Sequence, residues 1–238
     1  MIRGLVRLLL WLALAGAVLW FALPAAASSL AAAAVGAAGL AGEGVSTSVV
    51  ARPPFKLLLL EADAIVVRSG PATWRGLRFG ALDITVGGVR LGSPPRDVTG
   101  RIDDVEFADA AGATVRAMSI DLSGAASTPD VRVRLGLADV SALIGRVLPG
   151  EPGGPATAIT LAAPDGVRIA TSAGEATARI VLRPDGGLDL LVGAPGGTPI
   201  ALSLLTPGDA IPVHLSGVAI EGESLVLSGT VDARSLGL

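Results

Sequence analysis

The stretch VRVRLGLADVSALIGRVL, residues 131–148, changes from the period of a β-strand to that of an α-helix within one run. Its first part alternates apolar residues with arginine, which is the pattern of a strand with one dry face. After Asp139, which we expect to cap a helix, apolar residues recur at helical spacing. They are Val140, Leu143, Ile144, Val147 and Leu148. The stretch therefore predicts a one-sided strand that leads into an amphipathic helix.

Strand-like segments flank this unit on both sides. Residues 77–91 are predicted to form one long strand or hairpin arm, with phase changes at its glycines, one of them at Gly87-Gly88. Pro, Asp and Gly residues at 164–166, 184–187 and 207–209 are typical of the turns between antiparallel strands. The other predicted strands cover residues 45–51, 62–67, 102–107, 115–122, 131–137, 159–162, 167–170, 178–182, 188–192, 200–205, 211–215 and 225–231. The sequence thus predicts an α+β protein dominated by antiparallel sheet.

The amino terminus has the layout of an export signal. Two arginines precede an apolar run, Leu8–Leu23, which Pro24 is expected to end, and three alanines follow. We predict cleavage after Ala27, with an uncleaved membrane anchor as the alternative. Either way, residues 28–238 form one exported domain, in the periplasm or on the outer face of the cytoplasmic membrane. A helix is predicted over residues 30–41, because alanine has the best helix propensity.

Composition excludes several functional classes. The chain has 238 residues, no cysteine, one histidine and a net charge of −3. Disulfide frameworks, thiolate metal sites and cysteine nucleophiles are therefore ruled out. Residues 1–27 carry two arginines and no acidic residue, so the exported part is more acidic than the whole chain. An acidic protein is a poor ligand for nucleic acid, and any affinity for membranes must be mainly apolar.

The sequence contains no recognisable catalytic motif. Asp103, Asp104 and Glu106 cluster in one segment. They are interpreted as the wet face of an edge strand, with a weak cation site as the alternative. His214 lies between Val213 and Leu215 in a predicted strand, and we expect it to face solvent. We predict no enzymatic activity, no metal site and no cofactor.

Four segments resemble, in order, the LmeA-like phospholipid-binding family of bacterial envelope proteins. They are RPPFKLLLL at 52–60, AIVV at 64–67, GALDITVGGVRL at 80–91 and GVAIEGESLVLSG at 217–229. The strand and helix of residues 131–148 also match the family's order of elements. The resemblance implies a tubular lipid-binding (TULIP-like) fold, in which a long curved antiparallel sheet wraps one or two helices around a lipid slot. It brings no catalytic residue.

The resemblance, the export signal and the one-sided strands together predict non-enzymatic binding of phospholipid acyl chains at the membrane surface of the cell envelope, in lipid handling or support of glycolipid synthesis. The candidate apolar lining is Leu82, Ile84, Val86, Val89, Leu91, Val133, Leu135, Leu143, Ile144 and Val147. The same residues would also suit an ordinary filled core. The alternative is therefore an exported adaptor with a filled core, which docks on an envelope enzyme or transporter.

Overall fold

The computed structural model describes residues 20, 22–108, 112–148, 156–172, 174–193, 198–206 and 213–232. Antiparallel strands dominate and helices are few, which confirms the α+β class. Most of the predicted export signal, Leu8–Leu23, lies outside the described residues, as does the predicted turn at 207–209. Within the part of the chain that is described, no helix combines the length and apolar character needed to cross a membrane.

The strands, numbered in chain order, belong to two sheets. Their bounds are β1 Ala41–Gly42, β2 Ser46–Val50, β3 Glu61–Ser69, β4 Ala72–Trp74, β5 Leu77–Phe79, β6 Ala81–Arg90, β7 Asp97–Ala108, β8 Thr114–Ala125, β9 Asp130–Gly136, β10 Ala156–Ala162, β11 Gly166–Thr171, β12 Gly174–Leu182, β13 Leu188–Val192, β14 Ile200–Leu205, β15 Val213–Glu221 and β16 Ser224–Val231. Strands β10–β14 form a five-stranded meander, sheet B, and the other eleven form sheet A.

Sheet A is built around the long strand β7. One part of β7 pairs with β6, which continues through β3 to the edge strand β2, and its later part pairs with β5. On its other side, β7 pairs with β8, followed by β9, β16 and β15. The chain therefore leaves sheet A after β9, builds sheet B and returns to complete sheet A. Sequence analysis predicted one long sheet and did not foresee the second.

The amphipathic helix joins the two sheets. Helix α2, Leu137–Val147, contacts β8, β9 and β16 of sheet A and also β10 and β14 of sheet B. Its residues Val140, Leu143 and Ile144 are fully buried, and they share one core cluster with residues of both sheets. The predicted apolar stripe is confirmed. The predicted cap is wrong: Gly136 is the N-cap, and Asp139 lies in the first turn, where its charge favours the helix dipole.

Helix α1, residues 22–37, protects the edge of sheet A. It begins earlier than predicted, continues through Pro24 and ends before Gly39, whose φ of 92° is a left-handed conformation that glycine adopts readily. Ser28 Oγ accepts a hydrogen bond of 2.9 Å from the backbone N–H of Val49 on β2, and Ala38 O accepts one of 3.1 Å from Trp74 Nε1. The hydroxyl of Ser28 thus satisfies a backbone donor of the edge strand.

The turns at 164–166 and 184–187 are confirmed, since each connects two consecutive strands of sheet B. The predicted strand over 77–91 is in fact two strands, β5 and β6, separated by Gly80 alone. Pro54 begins a short 3₁₀ helix, Pro54–Leu59, a position that proline favours. That helix precedes β3 and lies at one end of sheet A.

Candidate functional site

The two faces of sheet A differ sharply in chemistry. We call the face that carries Leu82, Ile84 and Val86 of β6 the inner face. On the opposite, outer face, five charged residues stand side by side across five strands and alternate in sign. They are Arg68, Asp83, Arg101, Asp121 and Arg132. Cross-strand pairs of opposite charge stabilise a solvent-facing sheet, so the outer face is wet and the inner face is apolar, as the alternation predicted.

The inner face is covered unevenly. Inward-facing residues of neighbouring strands form rows across the sheet. In the row nearest α2, Leu82 and Ile120 are buried in the core cluster, and in the following row Ile84 and Leu122 pack against that cluster. One row further from α2, Ile65, Val86 and Val98 are only half-buried. Among the described residues, none of these three belongs to the core cluster or packs against it.

These three side chains and Val49 form a continuous strip across four strands. The register aligns Val49 with Ile65, Ile65 with Val86, and Val86 with Val98. We call these four residues the apolar row. Val49 is buried, and the other three keep partial contact with solvent. The apolar row is therefore the part of the inner face whose apolar surface the protein's own core does not fully cover.

Two hydroxyl groups on the inner face lack a hydrogen-bond partner among the described residues, Thr47 one row from the apolar row and Ser69 two rows from it. Thr47 Oγ1 and Ser69 Oγ are buried, and neither has a partner in the described part of the chain. Thr47 is aligned with Val67 and Ser69 with Leu82, which places both on the inner face. A buried hydroxyl without a partner costs about 1–3 kcal/mol, which an ester or phosphate oxygen of a ligand would offset.

The ten predicted lining residues fall into four places: the core, the apolar row, a polar cleft and an exposed apolar group. Val133, Leu135, Leu143 and Ile144 are buried in the core cluster, and Val147 packs against it. Leu82 is buried and Ile84 half-buried beside the same core. Val86 belongs to the apolar row. Ile65 and Val98 also belong to it and were missed, although the alternation of Ile65 with Val67 placed Ile65 on a dry face; only the strand pairing shows that it lies beside Val86.

The predicted phase change at Gly87-Gly88 is wrong, and it misplaced Val89. The pairing of β6 with β3 keeps one register from Leu82 with Ser69 to Arg90 with Glu61, so no residue is inserted. Gly88 has a left-handed φ of 59°, so strand alternation does not fix the face of Val89, which follows it. Val89 lines an open polar cleft of about 410 Å³, together with Lys56, Glu61, Ala62, Asp63, Gly88, Arg90, Ser93, Pro94 and Arg96.

The charges in this polar cleft are paired. Lys56 Nζ lies 2.6 Å from Asp63 Oδ1, and the backbone N–H of Arg52 donates to Asp63 Oδ2 at 2.6 Å. These hydrogen bonds hold the pKa of Asp63 below its ordinary value, and the bond from Lys56 has the larger effect. Asp63 lies on β3, so its carboxylate connects that strand to Lys56 of the 3₁₀ helix and to Arg52, the residue before the cis proline Pro53.

Leu91 lies just beyond β6 and is strongly exposed. Its backbone N–H donates to Leu60 O at 2.9 Å, which places it beside the 3₁₀ helix. Phe55, Leu58, Leu59 and Leu60 of that segment are also more than half exposed. We call these five residues the apolar tip. It stands at the end of β3 and β6 that the apolar row approaches.

The acidic segment is part of the ion-pair pattern. Asp103 lies 2.7 Å from Arg101, and Asp104 lies 3.1 Å from Arg116. The expected edge strand is wrong, because β7 is paired on both sides. Within the described ranges, no three His, Asp or Glu side chains are grouped so that they could hold a metal ion. His214 is exposed on β15, as predicted.

Comparison with known proteins adds no information about the function, so the functional assignment rests on the residues described above. No family model, curated protein or solved structure matches the chain.

Proposed function

We propose that this protein is an exported, non-enzymatic lipid-binding protein that holds a phospholipid acyl chain against the apolar row of sheet A. The half-buried strip of Ile65, Val86 and Val98 carries the proposal, since it is apolar surface without full cover from the core. Moving an acyl chain from water onto such a surface is favourable by about 0.8 kcal/mol for each methylene that becomes buried. The unpartnered hydroxyl of Thr47, one row from the apolar row, would hydrogen-bond to an ester or phosphate oxygen of the same lipid.

The proposed site is displaced from the slot that the family resemblance implied. In a TULIP-like arrangement the lipid would lie between the sheet and α2. Here the stripe of α2 is buried between two sheets, with Val140 and Ile144 at 0% exposure. We therefore place the acyl chain beyond the helix, where strands β2, β3, β6 and β7 present their inner face. The export signal of residues 1–27 would direct this binding to the cell envelope.

A paired substitution tests the apolar row. We expect the wild-type full-length chain, extracted from cell membranes in mild detergent, to carry phospholipid in native mass spectrometry. Val86→Glu would reduce the bound fraction at least about tenfold, because the carboxylate must be desolvated or protonated beside the acyl chain. Thr85→Glu is the matched control, since Thr85 is the next residue on the same strand and lies on the outer face.

The control also separates the apolar row from the amino-terminal apolar run, which is identical in both variants. Equal circular dichroism spectra would exclude misfolding as the cause. Absence of phospholipid from the wild-type chain, or equal phospholipid retention in the two variants, would contradict the proposal.

A second function is favoured by the filled core around α2. An adaptor that docks on an envelope enzyme or transporter needs no cavity, and the burial of Leu135 and Leu143 fits such a role. The two functions differ in two observations. An adaptor would capture one partner protein in cross-linked pull-downs, and Val86→Glu would not change the amount of bound lipid.

A further inference from the structure

The apolar tip is exposed in a way that neither the core nor the backbone requires. Phe55 is 58% exposed, Leu58 59%, Leu59 64%, Leu60 59% and Leu91 73%. Large apolar residues scattered singly on a surface are ordinary, whereas a contiguous group of five indicates an interaction site. The five residues lie close together, because four of them lie within six residues and a backbone hydrogen bond joins Leu91 to Leu60.

Leu60 adds an independent observation. It closes the 3₁₀ helix with φ 58° and ψ 36°, a left-handed conformation that glycine or asparagine normally supplies. A leucine in this conformation is strained, although the residue is 59% exposed. Folding alone would favour glycine here. The leucine therefore has to be explained by what its side chain contacts outside the chain.

The start of α1 lies beside the base of the tip. Trp20 and the α1 residue Pro24 line an open cleft of about 550 Å³ together with Ala51, Arg52, Pro53 and Pro54, the segment at the start of the 3₁₀ helix. Trp20 directly follows the main part of the predicted apolar run, Leu8–Leu23. A segment that inserts into a bilayer would thus enter the described structure next to the tip. Tryptophan is typical of the membrane interface.

The charges near the tip fit the same surroundings. Lys56, Arg90 and Arg96 line the adjacent polar cleft, each within ion-pair distance of an acidic side chain. Arg52 makes no ion pair within the described residues and lies at the junction between cleft and tip. Basic residues beside exposed leucines suit the phosphate layer above a hydrocarbon interior.

We propose that the chain retains its amino-terminal apolar segment as a membrane anchor, the alternative to cleavage after Ala27, that the apolar tip inserts into the outer surface of the membrane beside it, and that the lipid bilayer is the surface that covers the tip. The strands of sheet A then stand on the membrane with the 3₁₀ helix at the interface. This docking does not depend on the proposed lipid-binding function: the tip would insert whether or not the apolar row holds an acyl chain.

A label at the tip measures insertion directly. The chain has no cysteine, so a single Leu58→Cys substitution in the full-length protein can carry one environment-sensitive fluorophore. After reconstitution in vesicles of phosphatidylethanolamine and phosphatidylglycerol, we expect blue-shifted emission that brominated acyl chains quench. The matched control is Glu223→Cys, which is exposed in the β15–β16 turn at the opposite strand end. Its emission should not shift, and brominated lipid should not quench it.

A second variant separates insertion from folding. Leu60→Gly removes an apolar side chain and the strain at φ 58°, so we expect an unchanged or higher melting temperature. In the same variant, the ratio of inserted to withdrawn label at position 58 should fall at least about tenfold, the equivalent of one leucine side chain returned to water.

Three results would overturn the proposal. The first is equal quenching at positions 58 and 223. The second is a blue shift at position 58 that brominated lipid does not quench, which would mean that a protein surface or a second copy covers the tip. The third is a Leu60→Gly variant that inserts as well as the parent. Loss of lipid from the apolar row alone would leave the label at position 58 quenched, so the two proposals fail separately.

Discussion

Ile144→Ala should be the most destabilising single truncation on α2, with a loss of about 2–5 kcal/mol in the free energy of unfolding. Ile144 is 0% exposed and belongs to the core cluster that both sheets share. The surrounding side chains are held by sheet A on one side and sheet B on the other, so they cannot close the cavity easily. Chemical denaturation monitored by circular dichroism would measure the loss.

The same experiment tests whether the two sheets fold together. If α2 joins them, the Ile144→Ala variant should still unfold in one transition at a lower denaturant concentration. Arg146→Ala is the control, because Arg146 is exposed in the last turn of the same helix. Its effect should stay within about 0.5 kcal/mol. Two separate transitions in the Ile144→Ala variant, or a loss no larger than that of Arg146→Ala, would contradict the shared core.

Gly229→Ala should separate β15 from β16. A Cβ at Gly229 would lie 2.4 Å from the backbone oxygen of His214 and 3.0 Å from Leu215 Cα. Both are backbone atoms of the neighbouring strand, so no side-chain rotation relieves the clash. Among the described residues, β16 is the only strand of sheet A that pairs with β15, so we expect β15 to shift outward, with a loss of about 1–3 kcal/mol.

The control for Gly229→Ala is a second glycine in the same hairpin. A Cβ at Gly217 would lie 3.8 Å from Ser228 Cβ, an ordinary contact. Gly217→Ala should therefore leave the melting temperature nearly unchanged. Hydrogen exchange would check the location of the effect, with faster exchange in β15 of Gly229→Ala and unchanged exchange in β7. A Gly229→Ala variant as stable as Gly217→Ala would show that the close approach of the two strands does not constrain this position.

Local pattern predicted the strands well because alternation and turn chemistry act over a few residues. The strand over 188–192 has the predicted bounds, and β9 differs by a residue or so at each end. The switch from strand to helix at Gly136 was also visible, since the apolar period changes within the run. The cap was misassigned: Gly136 occupies the N-cap position without a side-chain hydrogen bond, and Asp139 lies in the first turn.

Pairing between distant segments could not be predicted in this way. Residues of β9 pair with β16 across about ninety positions, and the Arg132–Glu221 ion pair spans the same interval. Nothing in the local pattern shows that residues 156–205 form their own sheet before the chain returns. The apolar row depends on the same kind of information, since the alignment of Val98 with Val86 is a property of the β6–β7 register.

The segment PFKLLLL illustrates a different limit. Four successive leucines are usually core residues, and hydropathy alone gives no sign that they are exposed. Exposure follows from the 3₁₀ helix standing at the end of sheet A, where Asp63 ties it to β3. Val89 shows the converse error, because an apolar residue in an alternating run was assigned to the dry face although it lines the polar cleft.

Photo-crosslinking tests the central claim most directly. The full-length wild-type protein would be reconstituted with a phospholipid that carries a diazirine in one acyl chain, irradiated and digested for mass spectrometry. We expect the adducts to lie on the inner face at Ile65, Val86 and Val98, with the outer-face residues Thr85 and Thr99 unmodified. Adducts confined to residues 1–27, or spread equally over both faces of β6, would contradict the account.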